Sequence, residues 1–317
     1  MVKWISRRSS EPSFGVRVPA GAPVFDLHTH TLYSADSLET VADLLLAGEN
    51  LGLSVISITD HNSVGGYQDL EKPEVRKLFG GKIVTGVELV TMTNVREEQR
   101  SRASEVVMLD GYSFEILGYG IDAKKMGKIL SENKYENADY FTMLRNGIYE
   151  KLEQLGLGIE RKDFPTQPEW NQHIFDLRGK DLLLYENFSV RKELFRKFLS
   201  KDSVLGIDIS GFYKSPAQVV KWIHDCGGKA FLAHPMEYGE ASNKIIGAVL
   251  KLVDGIECFH PSASPEQSQY LVGLAQKNNL LISGGSDYHG AVRPQYKLGA
   301  TLAPSELATW VDGVTGC

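Results

Sequence analysis

Six short apolar runs end in, or contain, a side chain that can bind a metal, and this repeated pattern constrains the fold of the 317-residue chain most. The first run, residues 23–27, leads into His28 and His30. Because alternate side chains of a strand point the same way, these two imidazoles can reach a common point. Neutral imidazoles at a strand end are good ligands for divalent transition metals. The run therefore predicts a buried strand that ends at a metal site.

The five later runs repeat this arrangement along the chain. Residues 54–58 precede His61, 82–87 precede Glu88, 113–117 contain Glu115, 229–233 precede His234, and 280–286 precede Asp287 and His289. Short, nearly continuous apolar runs are typical of strands buried on both faces of a parallel sheet. Segments with helical spacing of apolar residues separate them, which predicts an α/β fold. Two of these helices are predicted to begin at an N-cap followed by proline, Ser215-Pro216 and Ser264-Pro265. We expect the ligand-bearing side chains to meet at the C-terminal ends of the strands.

The strand count and the spacing of the runs predict the domain organisation. With residues 255–259 the chain has seven predicted core strands, one fewer than an ordinary eight-stranded barrel. The predicted division is an N-terminal extension at 1–22, a metal-binding barrel formed by 23–123 and 215–317, and an insertion at 124–214. The insertion is expected to be mostly helical, with helices near 139–155 and 190–200, and to cap the active face. The alternative is a passive subdomain.

The order of these residues resembles the PHP (polymerase and histidinol phosphatase) family, from about residue 24 to residue 298. The motifs that carry the resemblance are His28-x-His30, Asp36, Thr59-Asp60-His61, Gly86-Val87-Glu88, Ala233-His234-Pro235 and Ser286-Asp287-x-His289. The resemblance implies a distorted seven-stranded β/α (TIM-like) barrel that holds two to three divalent metals. Manganese or iron would be preferred, with zinc or magnesium as alternatives.

The resemblance also implies three sets of metal ligands. The first set is His28, His30, Glu88 and Asp287, the second is Glu88, His234 and one further residue, and the third is Asp36, His61 and His289. Glu115 lies where related phosphoesterases have a histidine, and we expect it to complete the second set. A carboxylate in place of an imidazole favours harder ions over Zn²⁺. In the alternative interpretation Glu115 faces solvent beside a degraded second site.

Two ligand assignments have a competing structural role. Asp36 could instead be the N-cap of the following helix, because Asp is a favoured cap residue. Ser37 is a second cap candidate, and if it caps the helix Asp36 is free to bind a metal. Asp60 is expected to orient a ligand histidine, as metal sites usually require, and is counted with the catalytic residues.

Three further residues are candidates for substrate contacts. His260 follows another strand end, and it could contact phosphate or act as a proton donor; the alternative is an ordinary loop histidine. Arg191 resembles an arginine of the relatives, and it could hold phosphate in a bidentate way. Without the flanking Pro-His of those relatives, an exposed helix charge is the alternative. Arg293, which closely follows the last ligand motif, is a lesser candidate.

The predicted activity is hydrolysis of phosphate esters by attack of a metal-bound hydroxide on phosphorus. Three dications and four ligand carboxylates leave about +2 in the cleft, whereas the whole chain carries −6. The resemblance is greatest to a stand-alone branch that acts on nucleoside 3′,5′-bisphosphates and on short RNA from its 5′ end. The alternatives are a histidinol-phosphate phosphatase, a non-catalytic metal-stabilised module and a metal-dependent amidohydrolase.

Composition narrows the expected partners. The chain is acidic, which argues against stable binding to a nucleic acid duplex but not against a short single-stranded RNA bound through metals. The first 20 residues lack the apolar centre of a signal peptide, and no segment predicts a membrane span. Its three cysteines show neither metal-ligand nor redox spacing. We therefore expect a cytoplasmic protein whose substrate is a small phosphorylated molecule, in particular a nucleotide.

Overall fold

A computed structural model of the chain describes residues 24–34, 36–93, 113–154, 211–301, 303–314 and 316. The chain divides into two compact units, of which the first comprises Met1–Asn133 and Lys214–Cys317 and the second comprises Lys134–Tyr213. The predicted N-terminal extension at 1–22 lies outside the described residues. No helix in the described ranges combines the length and the apolar character that a membrane span requires.

The first unit is built around one eight-stranded sheet. Its strands are β1 Val24–Thr29, β2 Val55–Ile58, β3 Lys82–Met92, β4 Ser113–Tyr119, β5 Lys229–Leu232, β6 Gly255–Phe259, β7 Leu281–Gly284 and β8 Ala303–Pro304. The order in the sheet is β7-β6-β5-β4-β3-β2-β1-β8, so the seven predicted strands are neighbours in chain order. The two-residue β8 pairs antiparallel with β1 and was not predicted. The α/β barrel prediction is thus confirmed, with one short strand added.

Strand β4 departs from the predicted parallel sheet. It runs antiparallel to both β3 and β5, whereas β1, β2 and β3 are parallel, as are β5, β6 and β7. The prediction that every ligand lies at the C-terminal end of its strand is therefore wrong for β4. Glu115 is near the N-terminal end of β4, and the reversed direction brings it to the edge where the other strands end. It shares a sheet face with Glu88, because Val90 is its register partner on β3.

The helices lie between and after the strands. They are α1 Val41–Leu51, α2 Gly66–Leu70, α3 Pro73–Arg76, α4 Ala123–Glu132, α5 Asn137–Gln154, α6 Pro216–Asp225, α7 Ser242–Val249 and α8 Pro265–Lys277. The predicted helix starts at Ser215 and Ser264 are confirmed by side-chain caps, and Ser264 forms a capping box with Gln267. The N-cap of α1 is Thr40, so neither Asp36 nor Ser37 caps that helix.

The barrel interior is apolar at one end and polar at the other. Its core includes the buried side chains of Phe25, Leu27, Leu117, Phe231 and Trp310. Strands β1 and β7 approach closely at the polar end, where Tyr288 O accepts a hydrogen bond from His30 N at 2.8 Å. A Cβ atom at Gly285 would lie 2.3 Å from His28 N, so only glycine permits this approach.

The second unit contains α5, Asn137–Gln154, close to the helix predicted near 139–155. The helix predicted near 190–200 lies outside the described residues. Helix α4 begins at Ala123 and belongs to the first unit, which places the change of unit at residue 134. That the insertion caps the active face stays a prediction.

Candidate metal centre

Four buried side chains from three separate parts of the barrel converge at its polar end. His28 and His30 come from β1 and the residue after it, Glu88 comes from β3, and Asp287 follows β7. His28 Nε2 lies 3.1 Å from His30 Nε2, 3.3 Å from Glu88 Oε2 and 3.4 Å from Asp287 Oδ1. His30 Nε2 lies 3.3 Å from Glu88 Oε2 and 3.2 Å from Asp287 Oδ1. We call these four residues the inner group.

The separations within the inner group fit one divalent cation. Four atoms about 3.3 Å apart in a tetrahedron lie about 2.0 Å from its centre, which is the usual bond length from zinc-like ions to nitrogen and oxygen. Glu88 Oε2 is buried and has no hydrogen bond within the described residues, although imidazole nitrogens of His28, His30 and His61 lie within 3.3 Å. A buried carboxylate oxygen that faces several imidazole nitrogens but accepts no hydrogen bond is typical of a metal ligand.

A second set of ligand atoms adjoins the first and shares His30 with it. His30, Asp36, His61 and His289 bring one ligand atom each within 4.8 Å of the others, and we call them the outer group. Asp36 Oδ2 lies 3.3 Å from His289 Nε2, and Asp36 Oδ1 lies 3.8 Å from His61 Nε2. The third predicted ligand set is thus brought together, with His30 added. The side chains of Asp36 and His61 are 29% and 17% exposed.

Of the residues predicted for the second metal, His234 contacts Glu88 whereas Glu115 contacts Tyr238. His234 Nε2 lies 3.0 Å from Glu88 Oε1. The Tyr238 hydroxyl donates a hydrogen bond of 2.9 Å to Glu115 Oε2, and burial raises the pKa of Glu115 above its usual value. Among the described residues, no ligand set within 4.8 Å includes Glu115 or His234. That Glu115 binds a metal therefore stays a prediction.

Electrostatics keep three members of the inner group in the protonation states that a metal requires. At His28 burial lowers the pKa, but the carboxylates of Glu257, Glu88 and Asp287 outweigh it and raise the pKa well above its usual value. Burial, with repulsion from His289 and His61, lowers the pKa of His30 to about 4, so its imidazole is neutral at pH 7. Burial alone would raise the pKa values of Glu88 and Asp287. Neighbouring histidines outweigh it and hold both pKa values well below the usual range. Metal binding needs neutral imidazoles and ionised carboxylates, which His30, Glu88 and Asp287 supply, whereas a cation would have to displace a proton from His28.

Two of the predicted ligand residues have backbone conformations that non-glycine residues rarely adopt. Asp287 has φ 53°, and His234 has φ 24° and ψ 57°. The Asp287 N–H donates to His28 O at 2.9 Å, which ties this turn to β1. Such conformations persist when surrounding contacts hold them, and they concentrate at functional sites. Contacts within the barrel therefore hold both residues in backbone conformations that the local sequence does not favour.

Asp60 supports the ligands through a hydrogen-bonded loop. Its carboxylate accepts hydrogen bonds from Thr31 N at 2.6 Å and from Thr31 Oγ1 at 2.7 Å. Ser34, a further hydrogen-bond partner of Asp60, lies 2.8 Å from His30 Nδ1 through its hydroxyl and accepts a bond from His61 N at 2.9 Å. Burial raises the pKa of Asp60 to about 6. Asp60 thus positions His30 and His61 indirectly.

Two of the three predicted substrate residues lie at the centre. His260 is buried, its Nε2 lies 3.5 Å from Asp287 Oδ2, and that nitrogen has no hydrogen-bond partner within the described residues. Arg293 contacts Asp36 Oδ2 through one guanidinium nitrogen and Asp287 Oδ2 through another, the latter at 3.2 Å. These two carboxylates raise the pKa of Arg293 although burial opposes them. Arg191 lies outside the described residues.

Glu257, Glu237 and Tyr238 belong to the centre and were not predicted. Glu257 is fully buried and lies 2.9 Å from His28 Nδ1. Glu237 Oε2 lies 3.5 Å from His234 Nδ1. A signal existed for Glu257, because a glutamate inside an apolar strand, three residues before a histidine, needs a buried partner. Tyr238 and Glu237 follow His234 in a segment whose path the sequence pattern did not indicate.

Comparison with known proteins places this geometry among phosphoesterases. A model of the PHP domain matches residues 26–174. The 5′-3′ exoribonuclease Rnm of Escherichia coli is 24% identical over 306 residues, 92% of this chain and 93% of that protein. A phosphoribosyl 1,2-cyclic phosphate 1,2-diphosphodiesterase of Eggerthella lenta is 24% identical over 271 residues, 84% of this chain and 94% of that protein. A 3′,5′-nucleoside bisphosphate phosphatase of Chromobacterium violaceum is 24% identical over 276 residues, 83% of this chain and 86% of that protein.

A solved structure supports the fold. A Chromobacterium violaceum protein, described as an amidohydrolase with bound sulfate and no metal, superposes with a TM-score of 0.65 at 21% identity. The match covers 91% of this chain and 95% of that one. The resemblance to the PHP family that the strand-end ligand motifs predict is confirmed by the domain model over residues 26–174 and by these phosphoesterase relatives.

Proposed function

We propose that this chain is a metal-dependent phosphoesterase that hydrolyses phosphate esters of nucleotides, either a nucleoside 3′,5′-bisphosphate or a short oligonucleotide. The prediction of a hydrolase of phosphoric esters is confirmed at the level of reaction class by the named activities of the relatives. The observation that carries the proposal is the pair of ligand groups that share His30, with Arg293 beside them. Two cations side by side suit an in-line displacement at phosphorus.

The chain's own residues account for how the metals and substrate would be held. His28, His30, Glu88 and Asp287 would hold one cation, and Asp36, His61 and His289 would hold another with His30 adjoining. Divalent cations bound there would supply Lewis acidity, which makes water more acidic and neutralises phosphoryl oxygens. We propose Mn²⁺ or Fe²⁺, because oxygen and imidazole ligands are mixed in both groups. A third ion would require Glu115 and His234 with Glu88.

Arg293 and His260 are the proposed substrate contacts. Arg293 is 31% exposed, so its guanidinium can reach a phosphoryl oxygen while Asp36 and Asp287 hold its orientation. His260 Nε2 is directed at the same carboxylate, Asp287, and is free to hydrogen-bond a phosphoryl or leaving-group oxygen. A histidine in that place can donate the proton that a departing alkoxide needs. Asp60 keeps His30 and His61 oriented and takes no direct part.

The nucleotide assignment rests on the relatives. The three named activities concern RNA, a nucleoside bisphosphate and a phosphoribosyl cyclic phosphate, which share a ribose that carries phosphate. We therefore place ribose phosphates above histidinol phosphate as substrates. A cytoplasmic location and a short single-stranded RNA as partner stay predictions.

Phosphate release by the purified full chain in Mn²⁺ tests the proposal. The substrates are a nucleoside 3′,5′-bisphosphate, a short 5′-phosphorylated RNA, a phosphoribosyl 1,2-cyclic phosphate and histidinol phosphate, each with and without chelator. We expect chelator-sensitive turnover of at least one ribose phosphate and little of histidinol phosphate. Preference for histidinol phosphate would overturn the nucleotide assignment. Metal binding without hydrolysis of any ester would favour the non-catalytic module.

Arg293→Lys sharpens the same assay. Lysine keeps the positive charge but cannot form the bidentate contact of a guanidinium with phosphate. We therefore expect KM for the favoured substrate to rise about tenfold, with a smaller change in kcat. Lys221→Ala is a matched control, because Lys221 pairs with exposed Asp225 away from the centre. An unchanged KM would remove Arg293 from substrate binding.

A further inference from the structure

Glu257 is a buried carboxylate in β6 that joins the ligand segments of two other strands. Its Oε1 lies 2.9 Å from His28 Nδ1, and its Oε2 accepts a hydrogen bond of 2.7 Å from the His234 backbone N–H. The side chains of Glu257 and His28 are both 0% exposed. Glu257 belongs to neither the inner nor the outer group, yet it contacts His28 of the inner group and His234 of the predicted second ligand set.

The two nitrogens of the His28 ring have different surroundings. Nδ1 faces Glu257, whereas Nε2 faces His30, Glu88 and Asp287 of the inner group. A neutral imidazole carries one proton, on one nitrogen only. A carboxylate beside Nδ1 keeps that proton on Nδ1, which leaves the Nε2 lone pair for a metal.

We propose that Glu257 is a positioning residue that fixes the tautomer and orientation of His28 for metal binding, and that it holds the turn carrying His234. The proposal rests on the metal centre of the proposed function, but it does not depend on which ester is hydrolysed. The backbone of His234, at φ 24° and ψ 57°, is strained for a non-glycine residue. Its N–H is anchored by the same carboxylate that orients His28.

A direct ligand role fits the contacts less well. One ligand atom each of His28, Glu257 and His260 lies within 4.8 Å of the others, so a cation among them is the alternative. Both oxygens of Glu257 are already engaged, one at His28 Nδ1 and one at the His234 N–H. The Nε2 atom of His28 is committed to the inner group on the far side of the ring.

The Glu257→Gln variant distinguishes a positioning role of Glu257 from a packing role. The His234 N–H can only donate, so the amide oxygen must face it and the amide NH₂ must face His28 Nδ1. An NH₂ group there needs an acceptor, so it favours the tautomer protonated at Nε2, which cannot bind metal through that atom. Glu257→Met removes both contacts without imposing a tautomer. A packing role predicts that Gln is milder than Met, whereas the positioning role predicts that Gln is at least as harmful to metal binding.

Asp254 provides a matched control on the same pair of strands. Its Oδ2 lies 2.7 Å from His224 Nε2 and accepts a hydrogen bond of 2.7 Å from Ala230 N. It thus contacts a histidine and a backbone N–H near the start of β5, as Glu257 does just past the end of β5. None of its partners belongs to the metal centre. Asp254→Asn should leave metal affinity unchanged.

The test measures Mn²⁺ affinity by titration against a competing chelator, for the full-length wild type and these three variants, with circular dichroism to confirm folding. We expect Glu257→Gln to weaken binding about 10- to 100-fold and Asp254→Asn to have no effect. Nitrogen-15 NMR of histidine side chains in the metal-free protein, at a pH where His28 is neutral, should show the proton on Nδ1 in the wild type and on Nε2 in Glu257→Gln.

The outcomes distinguish this inference from the proposed function. A wild type that binds no Mn²⁺ would overturn the metal centre itself. A wild type that binds, together with a folded Glu257→Gln variant of unchanged affinity, would overturn the role of Glu257 alone. A Gln variant milder than the Met variant would assign Glu257 to packing. If neither variant folds, the wild-type NMR still decides, because an Nε2 proton on His28 contradicts the proposal.

Discussion

The inner and outer ligand groups share His30 and differ in how firmly the fold holds them. The inner group has side chains that are 0 to 2% exposed, and the imidazole Nε2 atoms of His28 and His30 lie 3.1 to 3.4 Å from each other and from the two carboxylates. In the outer group Asp36 and His61 are 29% and 17% exposed, and their separation is 3.8 Å. Buried strand ends fix the inner group, whereas Asp36 belongs to the segment between β1 and α1.

This difference in burial predicts different roles for the inner and outer groups. A buried, closely spaced group loses little freedom when it binds a cation, so it should bind tightly and exchange slowly. A more open group with a partly exposed arginine beside it can admit a phosphoryl oxygen next to its cation. We therefore expect the inner ion to stabilise the protein and the outer ion to be the exchangeable one that meets substrate.

Asp287→Ala should have the largest effect, because Asp287 belongs to the inner group and also lies 3.5 Å from His289 of the outer group. We expect phosphate release to fall by about 10³-fold, as loss of several kcal/mol of metal-based stabilisation implies. Circular dichroism should show a folded protein. Exposed Asp225 provides the control variant Asp225→Ala. Activity within a few-fold of wild type would remove Asp287 from the centre.

Asp36→Asn should separate the two groups. We expect a 10- to 100-fold loss of activity, because the outer group would lose its carboxylate charge, with little change in thermal stability. Metal content per chain, measured by mass spectrometry during dialysis against chelator, should show that the variant retains the inner ion. A large fall in the melting temperature, or loss of both ions together, would contradict the distinction between the groups.

Glu115→His tests whether a further ion lies between Glu88 and His234. If Glu115 is a ligand, an imidazole in its place should shift the metal preference several-fold toward Zn²⁺ over Mn²⁺. Tyr238→Phe is the matched control, because it removes the hydroxyl that donates to Glu115 and keeps the carboxylate. An unchanged ratio of Zn²⁺ to Mn²⁺ affinity would assign Glu115 to its contact with Tyr238.

Asp60→Asn should have the smallest effect on activity and a visible effect on pH dependence. Burial raises the pKa of Asp60 from 3.8 to about 6, so the folded protein binds this proton more tightly than the unfolded chain. Its contribution to the free energy of unfolding is greatest below pH 4 and is lost as the pH rises through 6. Two pKa units correspond to about 3 kcal/mol at most.

Chemical denaturation of the metal-free protein at pH 4.5 and pH 7 provides the measurement. The wild type should lose more stability than Asp60→Asn over that interval, because asparagine can keep the contacts to Thr31 without titrating. Equal losses in both proteins would mean that Asp60 is ionised in the folded state at a normal pKa.

Most of the candidate centre could be predicted from local sequence. Six of the predicted ligands follow or end an apolar run, namely His28, His30, Glu88, His234, Asp287 and His289. An apolar run that fits a buried strand predicts that these residues lie at the end of that strand. The capped starts of helices α6 and α8 could also be predicted from local sequence, because a helix cap depends on residues within one turn. Asp36 was found only through the family motif, because its segment has no regular structure of its own.

The rest depended on contacts between distant parts of the chain. The antiparallel direction of β4 decides that Glu115 reaches the centre from the start of its strand rather than from the end. Arg293 meets Asp36, and Glu257 meets His28, across more than 200 residues. Local patterns of apolar residues are the same for either strand direction and carry no information on which strands become neighbours.

The sequence by itself determined which residues can bind metal and that a β/α barrel gathers them, because apolar periodicity and ligand chemistry are local properties. Only the tertiary structure decided how those ligands divide into a buried inner group and an open outer group that share His30. It also decided that a carboxylate in β6 orients His28. The physical reason is that burial and hydrogen-bond partnership arise when the sheet closes on itself and β1 meets β7.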